Sequence, residues 1–292
     1  MKKILFFFAL LLLGVGAIEA QEARLLKPVT TAKNPIKIFY TFDGVEQADL
    51  EKWFGIAQSV HDSLMARLGD FHDSFEAVAL LAPSRQSGVT YRDSAKVRDT
   101  HFGSYFENSN LLKLPEWGEN KLVTNRAIIF PQYDDRKDIT LVLVNDPRYA
   151  GLTGGASWSS LVSYRNTSDI LVAIHEVGLQ LGLFDERYFS YFPTLDPFPS
   201  YPNLIKVKKE NQARITRDQI PWGKLIEAST PLPTPKDWLK YKGIVGLYPV
   251  ASLPDMEYFI GELECIMGSS DIPFFCAACR LHIVQELEHR LA

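Results

Sequence analysis

The sequence predicts a mixed α/β domain built on a partly parallel sheet, from three observations. Ile36 to Phe42 (IKIFYTF) alternates and is rich in β-formers, and Phe75 to Leu81 (FEAVALL) reads the same way. Between them, Gln47 to Leu68 places Leu50, Phe54, Ala57, Val60, Leu64 and Leu68 on one face of a helix. Ile139 to Asn145 (ITLVLVN) is apolar throughout, the pattern of a central strand covered on both faces. Strand, helix, strand in that order favours a right-handed crossover into a parallel pair. The 292 residues are 46% hydrophobic and 23% charged, ample for a large core. No Gly, Ser or Pro linker separates two patterned halves, so one domain is expected over residues 36–292.

The chain opens with addressing information. Lys2 and Lys3 precede an apolar run from Ile4 to Leu13, and small residues follow at Gly14, Gly16, Ala17 and Ala20. That is the plan of a secretory signal peptide over residues 1–20, with a retained anchor as the alternative. The run is short for a bilayer span, so an exported protein beginning near Gln21 is expected, with no membrane contact after cleavage. Residues 21–35 read as an extended lead-in.

Pro83 to Glu119 is polar and aperiodic, which implies short surface-packed elements. Arg126 to Phe130 reads as a further strand. Gly154-Gly155-Ala156-Ser157-Trp158 fits either an edge strand open to a second backbone or a turn plugged by Trp158. Phe189 to Pro202, crowded with prolines and aromatics, reads as a covering loop, and Lys206, Lys208 and Lys209 as a solvated loop face. From Arg280 onward, Leu281, Val284, Leu287 and Leu291 mark an amphipathic C-terminal helix, with His282 and His289 at its surface or core edge. A net charge of −4 argues against nucleic acid as a partner.

The chemistry concentrates in Ile170 to Tyr188, ILVAIHEVGLQLGLFDERY. Thr167-Ser168-Asp169 supplies an N-cap and an acidic first turn; Asn166-Thr167-Ser168 is also a formal glycosylation sequon. Two histidines four apart on a helix can share one zinc ion, with the intervening Glu as general base on its water. His175-Glu176 fits that pattern, and a turn at Gly182 would bring Asp185 round as a third ligand. The second histidine position holds Leu179, which cannot bind a metal. Cys265, Cys276 and Cys279 are the three cysteines. In an exported chain they suggest one disulfide, from Cys265 to either partner, with one thiol left over.

The order of these parts resembles metzincin-like peptidases, in particular the secreted IgA-peptidase-type metallopeptidases of gut bacteria. Their helix reads approximately HEFGHSFGGLADEY, against HEVGLQLGLFDERY from His175 to Tyr188, with Arg187 inserted before the Tyr. Pro83-Ser84 with Ser87-Gly88, Asp99-Thr100-x-Phe102, Leu143-Val144-Asn145 and Gly154-Gly155 match family segments in order. So do Pro202-Asn203, Pro221-Trp222, Val245-Gly246-Leu247, and Cys265-x-Met267 running to Phe275-Cys276-x-x-Cys279.

The resemblance implies a metzincin-like α/β (α+β) domain with a twisted mixed sheet, an active-site helix and a Met-turn. It implies His175 and Asp185 as zinc ligands, Glu176 as general base, Met267 as the Met-turn residue, and Gly154, Gly155 and Ala156 as the edge that pairs with extended substrate. The chain departs from it at Leu179 and at Tyr248-Pro249-Val250. A catalytic zinc needs three protein ligands, so the expectation is a homologue with zinc weakened or absent and peptidase activity impaired. It would act as a pseudoenzyme keeping a cleft for an extended peptide or protein. The alternative is an active zinc endopeptidase with a substitute ligand, for which His101, Glu186 or a second water are candidates; only Glu186 is close in sequence to the site, and His101 and His72 each read more readily as ordinary loop or surface residues. Tyr188, Phe189, Tyr191 and Phe192 would line the cleft or pack.

Overall fold

The computed structural model describes residues 21–94, 96–108, 111–187 and 199–292. The leader and the aromatic cluster from Tyr188 to Phe192 lie outside the described residues.

A six-stranded mixed sheet carries the fold, in the order β1 (Glu22–Leu25), β3 (Phe75–Leu81), β2 (Ile36–Asp43), β7 (Ile139–Val144), β9 (Ser159–Ser163), β8 (Gly151–Gly154). The four inner strands are parallel, and β1 and β8 close the two edges antiparallel. Alternation along β2 sorts side chains to two cores. Ile36, Ile38, Tyr40 and Phe42 face helices α1 (Leu50–Leu68) and α3 (Asp169–Gln180), while Phe39 faces the opposite side. That second core is closed by Phe102, Phe106, Leu112 and Leu122. The parallel connection through α1 is the crossover the sequence predicts.

Three expectations are corrected. Arg126 to Phe130 is not a strand: it closes helix α2 (Glu116–Ile129). The apolar Ala-Ile-Ile run resembles a strand, but Glu116 and Glu119 in the first turn favour the helix N-terminus, and Arg126 is buried against Ser157 O at 2.6 Å. Residues 21–35 are not merely a lead-in, since β1 pairs with β3 from Glu22↔Leu81 to Leu25↔Val78. Lys206 and Lys208 do not sit in a loop. They lie on β10 (Ile205–Lys208), which joins β12 (Met256–Ile260) and β11 (Tyr248–Ser252) in a separate three-stranded sheet.

The polar segment after Pro83 holds a small sheet of β4 (Thr90–Tyr91), β5 (Tyr105–Phe106) and β6 (Leu112–Lys113). One buried carboxylate ties it to the end of β2. Asp43 Oδ1 accepts from Phe102 N at 2.8 Å, and Oδ2 accepts from Ser104 N at 2.8 Å and Thr100 Oγ1 at 2.9 Å. Ser84 Oγ accepts from Gly44 N and His101 N at 3.0 and 2.9 Å. The Ser84 and Thr100-x-Phe102 segments therefore have a structural use: they satisfy a buried charge with fixed donors. Asp43→Ala strands two buried backbone donors and should cost more than about 2 kcal/mol, read as a lower denaturation midpoint.

Candidate active site

Helix α3 is held at both ends. At its N-terminus the buried Asp169 carboxylate accepts from Arg165 N at 2.7 Å and Asn166 N at 3.1 Å and is bracketed by the Arg165 guanidinium. The Ser168 hydroxyl makes no capping bond to the helix and instead meets Asn166 Oδ1 at 2.5 Å, so Asn166 is engaged at the helix start. At the C-terminus, His282 Nε2 reaches Leu181 O at 2.8 Å and Arg290 Nη2 reaches Gln180 O at 2.7 Å. These groups, from the C-terminal helix Ala277–Leu291, satisfy the orphan carbonyls of α3. The Gln180 side chain clamps β7, donating to Thr140 O at 2.8 Å and accepting from Thr140 N at 3.1 Å.

The fixed helix presents a fully buried His175. Its Nδ1 donates to Ile266 O at 2.8 Å, which leaves the Nε2 lone pair directed outward, the tautomer a metal ligand requires. The segment Cys265-Ile266-Met267 thus floors the site as expected, and it lies very close to the helix. A Cβ added at Gly178 would stand 2.8 Å from Met267 Sδ.

Arg187 meets that lone pair. Its Nη2 lies 2.7 Å from His175 Nε2. The same guanidinium forks onto Asp185, with Nε at 2.9 Å from Oδ1 and Nη2 at 3.0 Å from Oδ2, and Nη2 is 3.7 Å from Glu176 Oε1. Tyr149 Oη accepts from Nη1 at 3.3 Å and itself contacts Ser270 Oγ at 2.7 Å. Asp185 Oδ2 is 3.5 Å from His175 Nε2, so the side chains placed together by sequence do converge. Leu179, one turn on from His175, is part-buried and packs against the main apolar core.

Glu176 is buried, with Oε2 accepting from Thr153 Oγ1 at 2.7 Å and Oε1 lacking a hydrogen-bond partner. Burial pushes its carboxyl above the ordinary value, against the pull of His175, Thr153 and Arg187. Burial alone would raise Asp185 too, but the neighbouring His175 and the forked Arg187 guanidinium outweigh it and hold that carboxyl well below the usual range.

The edge expected at Gly154, Gly155 and Ala156 is shifted. Gly154 ends β8, while Gly155 and Ala156 belong to the following turn, where Glu119 Oε2 accepts from Ala156 N at 3.0 Å. Trp158 is 45% exposed and does not plug the turn. The edge strand itself runs beside the helix: a Cβ at Gly151 would fall 2.5 Å from Glu176 Oε1.

The proposed substitute ligands point elsewhere. His101 is buried beside α2, 3.3 Å from Lys121 Nζ and 3.5 Å from Asn125 Nδ2. His72 is exposed and pairs with Asp73. Glu186 turns away from the site to accept from Asn203 Nδ2 at 3.0 Å. The three cysteines stand as thiols with Cys265 Sγ and Cys279 Sγ 3.6 Å apart, in place of the disulfide expected.

A profile of the IgA peptidase M64 family matches residues 24–244, which include His175, Glu176, Asp185 and Arg187. The chain belongs to the IgA peptidase M64 family. That membership makes it a metallopeptidase by family and implies a metal, usually zinc. The mixed sheet, helix and Met-containing floor of the M64 domain carry the expected metzincin-like layout. No curated protein matches the chain.

Arg187, Thr153, Tyr149 and Gly151 were not among the expected site residues, although Arg187 stood out as an insertion. Arg187→Ala removes the cation shared by Asp185, Glu176 and His175 and should destabilise by about 1–3 kcal/mol. Because the folded Asp185 pKa is depressed, its contribution is present above the unfolded value of about 3.9 and is lost as pH falls through the lower folded value. Acid titration of Arg187→Ala by circular dichroism should therefore show a smaller loss of stability in that window. Glu176 carries the opposite sign: its raised pKa makes the ionised carboxylate a cost that grows as pH rises above about 4.3. Glu176→Gln should match or exceed the parent in stability at pH 7, with the difference shrinking toward pH 4.

Proposed function

We propose that this chain is an exported M64 homologue in which an internal guanidinium has taken the place of the catalytic zinc, leaving a peptide-binding cleft without hydrolysis. The observation that carries this reading is Arg187 Nη2 at 2.7 Å from His175 Nε2, with the same group forked across both oxygens of Asp185. A zinc ion needs those lone pairs at about 2.0–2.2 Å, and a third ligand besides. Leu179 supplies none, so the residues present do not fit the metal. Arginine answers the same electrostatic demand, since its planar donors suit one imidazole and one carboxylate at once. Without a metal to acidify a water, a buried Glu176 with a raised pKa has no nucleophile to activate.

The cleft's binding edge is β8. No other strand pairs with its outer side among the described residues. Ser163 N donates to Ala150 O at 3.0 Å, and alternation from that bonded pair turns the peptide groups of Gly151 and Thr153 outward. An extended polypeptide could add there as a further strand, reading backbone rather than side chains.

Zinc analysis and proteolysis of a denatured protein, run on the parent, Leu179→His and Leu179→His/Arg187→Ala, test this. The parent should cleave nothing and hold no zinc at His175. Leu179→His alone should remain inactive because Arg187 still occupies the lone pairs. The double variant should gain zinc that a further His175→Ala substitution removes. Cleavage by the parent that Glu176→Gln abolishes would sink the reading.

A further inference from the structure

A second cluster of metal-ligating groups lies behind the Met-containing floor, distinct from His175 and Asp185. Cys265, Cys276 and Cys279 are all buried, and their sulfurs lie within 4.8 Å of one another. Cys265 Sγ and Cys279 Sγ are 3.6 Å apart. A disulfide requires about 2.05 Å. A tetrahedral zinc with bonds of about 2.3 Å places its sulfurs about 3.8 Å apart, close to the Cys265–Cys279 separation. Glu186 Oε1 lies 4.0 Å from Cys279 Sγ and is oriented by Asn203 Nδ2 at 3.0 Å.

We propose that Cys265, Cys276, Cys279 and Glu186 form a structural zinc site. The surroundings suit thiolates. Cys276 N donates to Cys265 Sγ at 3.3 Å, and Cys279 N donates to Cys276 Sγ at 3.5 Å. Cys276 caps the C-terminal helix and Cys279 sits in its first turn, where the helix dipole favours negative charge. The four ligands come from three parts of the site's support: Cys265 from the Met-containing floor, Cys276 and Cys279 from the start of the C-terminal helix, and Glu186 from the acidic pair after α3. One ion would join all three, using the carboxylate next to Asp185 but facing away from it. Glu186 N also donates to Met267 O at 3.0 Å, so ligand and floor are already tied. Three thiols cannot all be consumed by disulfides within one chain, whereas a four-coordinate closed zinc site uses every one of them.

The test is made on the full chain expressed with zinc and purified under reducing conditions. Metal content by mass spectrometry should be one zinc per chain, retained in His175→Ala and lost in Cys279→Ser. Cobalt substitution should produce the intense thiolate charge-transfer absorption of a tetrahedral sulfur site, and alkylation of the three thiols should become fast only after the metal is removed. Glu186→Gln should weaken zinc affinity by at least about 10–100-fold. If Cys279→Ser does not fold, the cobalt spectrum of the unmodified chain decides alone. An intact mass two hydrogens light, or three freely reactive thiols with no metal, would overturn the proposal. Zinc lost from His175→Ala but kept in Cys279→Ser would overturn it as well, and that result alone would also overturn the guanidinium reading.

Discussion

One positive charge organises the site. Glu176 is buried and Asp185 partly so, and both stand beside the same guanidinium. Two carboxylates held in that way repel each other and one must protonate, unless a cation stands between them. In a zinc peptidase a divalent ion plays this part. Here Arg187 plays it, reaching Asp185 with two donors and the imidazole of His175 with one of the same nitrogens. The burial that raises Glu176 and the neighbours that depress Asp185 push two similar acids in opposite directions beside one guanidinium.

The helix that carries the site is tied down along its whole length. Helix α3 is tied at its start by Asp169, along its side by Gln180 to β7, and at its end by His282 and Arg290 of the C-terminal helix. Ile266 O fixes the imidazole from below. His175 is therefore oriented by its neighbours, whatever meets its outer nitrogen. The close approach of Gly151 to Glu176 and of Gly178 to Met267 shows how little space the two walls leave.

Much of the fold was legible because its signals are local. Period-two alternation set the faces of β2, an unbroken apolar run marked β7 as central, and the helical spacing of Leu50 to Leu68 gave α1 almost residue for residue. What went unread depends on distant partners. The strand β1 is four residues whose only claim to be a strand is its pairing with β3. The short strands β4 to β6, and β10 with β12, likewise have too few residues for a pattern. The tail of α2 was misread because an apolar triplet fits strand and helix equally, and the buried Arg126 that settles it is paired with Ser157 far along the chain.

The sequence by itself determined the ancestry, the convergence of His175, Glu176 and Asp185, and the leucine one turn on at position 179, since motif spacing along a helix and its turn is a local property. It also marked Arg187 as an addition. Only the tertiary structure decided what that addition does. A guanidinium sits on a long side chain whose partners depend on where the turn after Gly182 and the outer nitrogen of His175 finally lie. The same holds for the cysteines. Cys265 lies eleven residues before Cys276, and spacing allowed a disulfide, but the packing of the C-terminal helix against the floor gathers three free thiols within 4.8 Å of one another.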